Sequence, residues 1–302
     1  MIYNQNSDVI IVGGSYSGLS AAMALGRALR QVLVIDNGQP CNIQTPRSHN
    51  FLTRDGQIPK QISALARKQV EKYETIQFYD GLATNVRKKS RGFSVTTQSG
   101  ENFNCSKLIF ATGVRDLVPD IDGFSECWGI SVIHCPYCHG YEVRNETTGI
   151  FGNGDAAFEF SKMIFNWTKD VAVFTNGKST FSGEQSRKLK QHRIKIIEKE
   201  IDKLEHHKGY IENVIFKDGS KSSIKAMYAK IPFVQHTDLP KKLGCELTEQ
   251  GFIKVDAFQK TTVHGIFACG DNCNFMRSIS TSVAMGTLSG AAANKEMIEE
   301  AF

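Results

Sequence analysis

Residues Asp8–Leu29, DVIIVGGSYSGLSAAMALGRAL, decide the fold. Asp8–Val12 is a short apolar run of the kind that forms a buried strand, and it leads straight into Gly13-Gly14-Ser15-Tyr16-Ser17-Gly18. Leu19–Leu29, rich in alanine and leucine, reads as a helix. In this setting a glycine-rich turn binds a dinucleotide. The pyrophosphate rests on the helix N-terminus, where unpaired N–H groups and the helix dipole favour an anion. Ser15 takes the place of the middle glycine and adds a small side chain. The next apolar strand, Val32–Ile35, ends in Asp36, eighteen residues after Gly18, where a carboxylate accepts a ribose hydroxyl. A surface turn at Asn37-Gly38 would explain the acid but not its spacing.

The same grammar recurs beyond the middle of the chain. Thr148–Phe151 reads as a strand and Gly152-Asn153-Gly154-Asp155-Ala156-Ala157 as a G-x-G-x-x-A turn. Phe158–Asn166 reads as a helix and Val171–Phe174 as a second strand. Two modules imply two nucleotide sites. The second is poorly specified, because Thr175-Asn176-Gly177 stands where an acid or an arginine would grip the ribose, and Lys178 is the nearest cation. Between the modules, the spacing predicts a polar loop over Gly38–Gly56, a helix over Ile58–Tyr73 and a strand at Ile76–Tyr79. It also predicts a hairpin from Leu82–Val86 and Gly92–Thr97, a buried strand at Leu108–Ala111 before Thr112-Gly113, and a linker at Asp116–Gly123. After the second module come the helix Gly183–His192, short strands over Ile194–Ile231, strands at Phe252–Val255 and Ile266–Cys269, and a final helix from about Ser278.

A chain of 302 residues suggests two domains, and 41% hydrophobic with 22% charged residues describes a globular protein. Met1–Asn6 has no secretory pattern, and no apolar run approaches the ~18 residues that span a bilayer. The expectation is a cytoplasmic protein with no membrane partner. The net charge of +5 is spread in short clusters such as Arg87-Lys88-Lys89, which read as a solvated face and not as a nucleic-acid surface.

That compartment bears on the eight cysteines, of which Cys135 and Cys138 stand in Cys135-Pro136-Tyr137-Cys138-His139. The string fits haem attachment, half of a zinc site, a redox dithiol or two buried structural thiols. Haem attachment needs export, and a closed zinc site needs four ligands. Cytosolic thiols are kept reduced, which favours a catalytic pair and no metal. Cys41, Cys269 and Cys273 read as structural. His139, with an ordinary pKa of ~6.5, is the candidate acid–base group that takes a thiol proton and returns it to a leaving thiolate. His134 reads as a satisfied loop histidine.

The ordered set GGSYSG–Asp36, Ala111-Thr112-Gly113, C-P-Y-C, G-N-G-D-A-A and F-A-C-G-D resembles the low-molecular-weight thioredoxin reductases, class II pyridine nucleotide-disulfide oxidoreductases, over essentially the whole chain. The resemblance implies an α/β protein of two Rossmann-like dinucleotide-binding domains, the second inserted into the first. Residues 1–115 and 236–302 would bind FAD, and residues 116–235 would bind NAD(P)H and carry the dithiol. It implies that Gly13, Gly14, Ser15, Ser17, Gly18, Asp36 and Asn37 hold the ADP part of FAD. Asn50, Ala83, Ala111, Thr112, Gly113, Gly270, Asp271, Arg277, Ser278 and Ile279 would line the rest, with Asp271 on the ribityl chain. Gly152, Gly154, Asp155 and Ala156 would hold NAD(P)H, Cys138 would face the flavin, and Cys135 would attack the substrate. Electrons would pass from NAD(P)H through FAD to the Cys135–Cys138 disulfide and on to thioredoxin or a small disulfide, in a homodimer whose two linkers rotate.

Three departures stand out. The paired arginines for a 2′-phosphate are missing, the Arg-Gln-Ala flavin contact reads Arg277-Ser278-Ile279, and His139 replaces the aspartate after the second cysteine. The Cys-x-x-Cys-His form is similar to the gliotoxin- and holomycin-type dithiol oxidases, which would run electrons from a small dithiol to FAD and then to O2. A flavin redox sensor without turnover is a third expectation.

Overall fold

The computed structural model describes residues 3–302, so the first two residues of the Met1–Asn6 stretch lie outside it. β1 (Asn6–Val12), α1 (Tyr16–Arg27) and β2 (Val32–Asp36) form the first module. After the long loop come α2 (Pro59–Val70), β3 (Ile76–Asp80), the hairpin β4 (Ala83–Lys88) and β5 (Phe93–Thr97), and the long β6 (Asn102–Phe110). β7 (Val114–Asp116), α3 (Phe124–Cys127), β8 (Val132–Ile133) and α4 (Pro136–His139) follow. The second module is β9 (Thr148–Phe151), α5 (Gly154–Ile164) and β10 (Val171–Phe174), continued by α6 (Gly183–Gln191) and β11 (Lys195–Ile197). β12 (Ile201–His207), β13 (Tyr210–Phe216) and β14 (Lys221–Ser223) make an antiparallel meander before β15 (Ala226–Ala229). β16 (Phe233–Gln235), α7 (Leu239–Lys242), β17 (Ile266–Ala268) and α8 (Ile279–Ala301) end the chain.

The chain divides into two compact units. The first comprises residues up to Ile43 with Phe51–Arg115 and Phe233–Phe302; the second comprises Gln44–Asn50 and Asp116–Pro232. The short segment Gln44–Asn50 thus groups with the second unit, although the sequence reading put it in the first. Within that unit its Gln44 side chain donates to the Trp128 carbonyl.

Both units are Rossmann-like α/β sheets. The first orders its strands β3-β2-β1-β6, and β6 pairs with β5 along its first half and with β17 along its second. The second runs β11-β10-β9-β15-β8, all parallel. In each sheet the strand that precedes the glycine turn is central, so the turn opens at the carboxyl edge where such sheets bind ligands. β1 explains its own position. Val9, Ile10 and Ile11 are fully buried, as a strand covered on both faces requires. One face of the first sheet packs Leu19, Ala22 and Leu25 of α1 with Ala293 and Met297 of α8, and the other packs Phe93, Phe103 and Leu108. The second sheet likewise buries Ile150 and Val173 on one face, Phe174 and Met227 on the other.

Three expected elements differ. The first-module helix begins at Tyr16, not Leu19, because the glycine turn runs directly into it. The second-module helix begins at Gly154, not Phe158, because Asn153 caps it and the glycine turn is its first turn. Phe252–Val255 makes only single bridges, Leu247 to Ile253 and Val255 to Thr261, and is not a strand. Among the described residues no helix is long and apolar enough to cross a membrane.

Candidate active site

In the first unit the carboxyl ends of β1, β2, β6 and β17 bring three sequence-distant turns together. Gly13 turns the chain at φ +105°, and any side chain there would strike the Ala111 carbonyl; one at Gly18 would strike the Gly13 carbonyl. Asp36 at the end of β2 accepts from the Gly14 N–H at 2.9 Å and the Gly38 N–H at 3.3 Å. Ser15 is the N-cap of α1 but its side chain makes no capping bond, and no acidic residue lies in the first turn. The leading N–H groups of α1 therefore face outward without a carboxylate of their own, which suits a pyrophosphate. Ser17 and Ala83 are buried beside this edge, and the Asn37 side chain instead closes its own loop on Gln39 N–H at 3.2 Å.

Ala111-Thr112-Gly113 continues from β6, and Gly270-Asp271 from β17. Asn272, which the sequence reading passed over, joins them by donating to Phe110 O at 2.9 Å and Thr112 Oγ1 at 3.3 Å. Its Oδ1 is buried without a hydrogen-bond partner, an acceptor left for a bound group. The only signal for it was its place directly after Gly270-Asp271. Asp271 lies 3.5 Å from Arg277 Nε and accepts from Ser282 Oγ at 3.4 Å. Ser278 caps α8 by accepting from Thr281 N–H at 3.2 Å, which sets Ile279 as its first residue. Cys41, read as structural, is exposed with Sγ 3.9 Å from Asp271 Oδ2. Cys269 is fully buried, its thiol pushed up to about 12 by burial, and burial raises Cys273 as well. A helix N-terminus free of acid, glycines where a side chain would clash, a carboxylate at the end of β2 and an unpaired buried acceptor fit the adenine dinucleotide of FAD.

In the second unit Cys135 and Cys138 are disulfide-bonded, Cα atoms 5.3 Å apart. Pro136 starts the one-turn helix α4 without needing an N–H, and Cys138 N and His139 N both donate to Cys135 O at 3.2 Å. That turn is what places two thiols three residues apart on one side. Tyr137 is exposed and meets the Trp167 ring edge-on at 5.5 Å. Burial, with the charge of His49 added, lowers His139 to about 4. This corrects the expectation of an ordinary imidazole: the ring is neutral at physiological pH. His49 lies edge-on to His139, and its Nδ1 is 3.5 Å from Glu142 Oε1. Asn50, expected in the flavin site, belongs to this same Gln44–Asn50 segment, with φ +57°. His134 packs against Trp128 at 6.0 Å.

The second glycine turn is largely satisfied from within. Asn153 Oδ1 accepts from Gly154 N–H at 2.9 Å, Thr180 N–H at 2.8 Å and Thr180 Oγ1 at 3.1 Å. Asn153 Nδ2 donates to Lys178 O at 2.9 Å, and Asp155 accepts from Gln185 at 2.7 Å. Asp155 and Ala156 are exposed, and Gly152 and Gly154 bracket the cap. The Thr175 hydroxyl, at the end of β10, is turned to Gly177 O at 2.6 Å, and Asn176 accepts from Ile201 N–H at 2.7 Å. The ribose position thus carries neutral side chains engaged with backbone.

The family model described as pyridine nucleotide-disulphide oxidoreductase matches residues 7–286. The chain is 31% identical to a thioredoxin reductase, tcpT, of Claviceps purpurea, with 97% of this chain and 95% of the relative covered. Among solved structures it is similar to a putative thioredoxin reductase, TrxB, from Bacillus anthracis, at 28% identity and TM-score 0.94, covering 98% of this chain and 100% of that one. It is also similar to HlmI, at 29% identity and TM-score 0.94, covering 100% of this chain and 95% of that one.

Proposed function

The chain belongs to the pyridine nucleotide-disulphide oxidoreductase family and is a flavin-dependent, thioredoxin reductase-like enzyme; from that premise we propose that Cys135–Cys138 is its working disulfide. FAD, when bound, supplies two-electron redox chemistry. We assign its ADP part to Gly13, Gly14, Gly18 and Asp36, and the remainder to the Ala111–Gly113, Gly270–Asn272 and Arg277–Ile279 turns. The observation that carries the reading is the disulfide itself, closed across a one-turn helix with a neutral, half-buried imidazole as its next residue.

In the reduced protein both cysteines are thiols. His139 takes the Cys135 proton, and the Cys135 thiolate attacks one sulfur of an external disulfide, releasing the other as a thiolate that His139 protonates. Cys138 then loses its own proton and attacks the mixed disulfide. The Cys135–Cys138 bond re-forms and the second substrate sulfur leaves as a thiol. Two protein thiols and one substrate disulfide thus become one protein disulfide and two substrate thiols. Electrons from the pyridine nucleotide side restore the dithiol.

Cys135→Ser and Cys138→Ser are each expected to keep bound flavin and to lose disulfide reduction by at least about 10³-fold. Wild-type activity in both would overturn the assignment.

A second reading reverses the flow. A small dithiol would reduce Cys135–Cys138, and its electrons would reach O2 by way of FAD. Its support is the second glycine turn, where Asn153, Thr175 and Asn176 are spent on the protein's own backbone. A thioredoxin-type partner is supported by the relatives' names, and a homodimer by the family resemblance, testable by mass in solution. Six cysteines outside the one disulfide support a reducing compartment, the cytoplasm.

A further inference from the structure

Around His139 stand groups that no step above uses. His49, in the Gln44–Asn50 segment of the second unit, presents its ring edge to His139 with centroids 6.2 Å apart and planes at 88°. Its Nδ1 lies 3.5 Å from Glu142 Oε1, so the carboxylate fixes which way the His49 ring faces. The His49 side chain is only 18% exposed, which limits the water available to screen its charge. The charge of Glu142 is also felt by the Tyr228 phenol of β15. That phenol is buried without a hydrogen-bond partner and raised first by burial and then by the charge of Glu142.

We propose that His49, anchored by Glu142, is a positioning residue for His139: its ring sets the His139 ring beside the dithiol and its charge opposes a proton there. The inference rests on His139 as the dithiol's proton acceptor. When His49 carries its proton, a second cation at this distance is disfavoured, so His139 stays neutral at pH values where a solvated imidazole is already half protonated. Glu142 acts at one remove, by holding Nδ1 of His49 and leaving the ring edge to His139.

The test uses the flavin-loaded protein with His49→Phe, which keeps an aromatic edge without charge, and His49→Gln as a second variant should the first fold poorly. Two quantities are read: the acid limb of the thiol–disulfide exchange rate, and the His139 ring titration by NMR. Both are expected to move to higher pH by about one unit. A merely structural role would lower the rate without moving either. An unmoved His139 titration in His49→Phe or His49→Gln overturns the proposal. Failure of the underlying reading looks different: His139→Gln would then leave both the limb and the rate as in wild type, whatever His49 does.

Discussion

An imidazole of ordinary pKa near 6.5 exchanges its proton across the neutral range; the His139 ring, taken out of water and set by His49, does so only near about 4. Its chemistry is therefore that of a base that must accept before it can donate, and once protonated it is a strong acid toward a leaving thiolate. The same shift acts on stability. Between about pH 6.5 and about 4 the unfolded chain binds the proton and the folded one resists it, so this contribution is present above 6.5 and lost as pH falls. It is worth roughly 3 kcal/mol in full. In urea titrations wild type should lose more stability than His139→Gln between pH 7 and pH 4.5; equal losses would show that the ring is solvated. The sequence singled out His139 as the candidate acid–base group because it follows Cys138 directly. It could not make the lowered pKa legible, since the burial of the ring and the approach of His49 from a distant loop are products of folding.

Elements were easiest to read where one physical cause sufficed. β1, β9 and β10 are apolar runs closed by glycine or polar turns, and a strand buried on both faces needs no more than that. α5 starts earlier than its apolar spacing predicts, because the Asn153 cap makes the glycine string the first helical turn. Phe252–Val255 has strand composition but finds only single-bridge partners, and pairing is a long-range fact. The same holds for the tie between β6 and α8. Lys107, 2% exposed on β6, donates to Glu296 at 2.8 Å and also to Glu300, while Lys260 reaches the other oxygen of Glu296 at 2.8 Å. Burial alone would raise the Glu296 carboxyl, but the two lysines hold it below the usual range. Lys107→Met leaves that half-neutralised carboxylate in the interior, which costs roughly 3 kcal/mol. The urea midpoint of the flavin-loaded protein should fall accordingly; a loss under about 1 kcal/mol would mean that the site is as soft as a surface pair.

Across the whole chain, two glycine turns of the same topology meet unequal surroundings. The first keeps its helix end free of acid and has Asp36 at ribose height. The second caps itself with Asn153, closes on Thr180 and offers Thr175 and Asn176, both engaged with backbone, after β10. Within Thr175–Lys178 a 2′-phosphate would find one cation, the exposed Lys178. A lone exposed cation contributes at most about 1 kcal/mol, whereas discrimination of a hundredfold needs about 2.7 kcal/mol. The chain should therefore distinguish poorly between NADPH and NADH. Anaerobic titration of the flavin-loaded protein with each nucleotide, followed by the flavin absorbance, measures this directly. Bleaching at stoichiometric amounts of both, with apparent affinities within about tenfold, is the expected outcome for the reductase direction. If neither nucleotide bleaches the flavin while a small dithiol does, and oxygen is then consumed on admission of air, the electrons run from dithiol to O2. A hundredfold preference for NADPH would sink the argument from the second turn, because it would require a phosphate grip that Thr175–Lys178 does not contain.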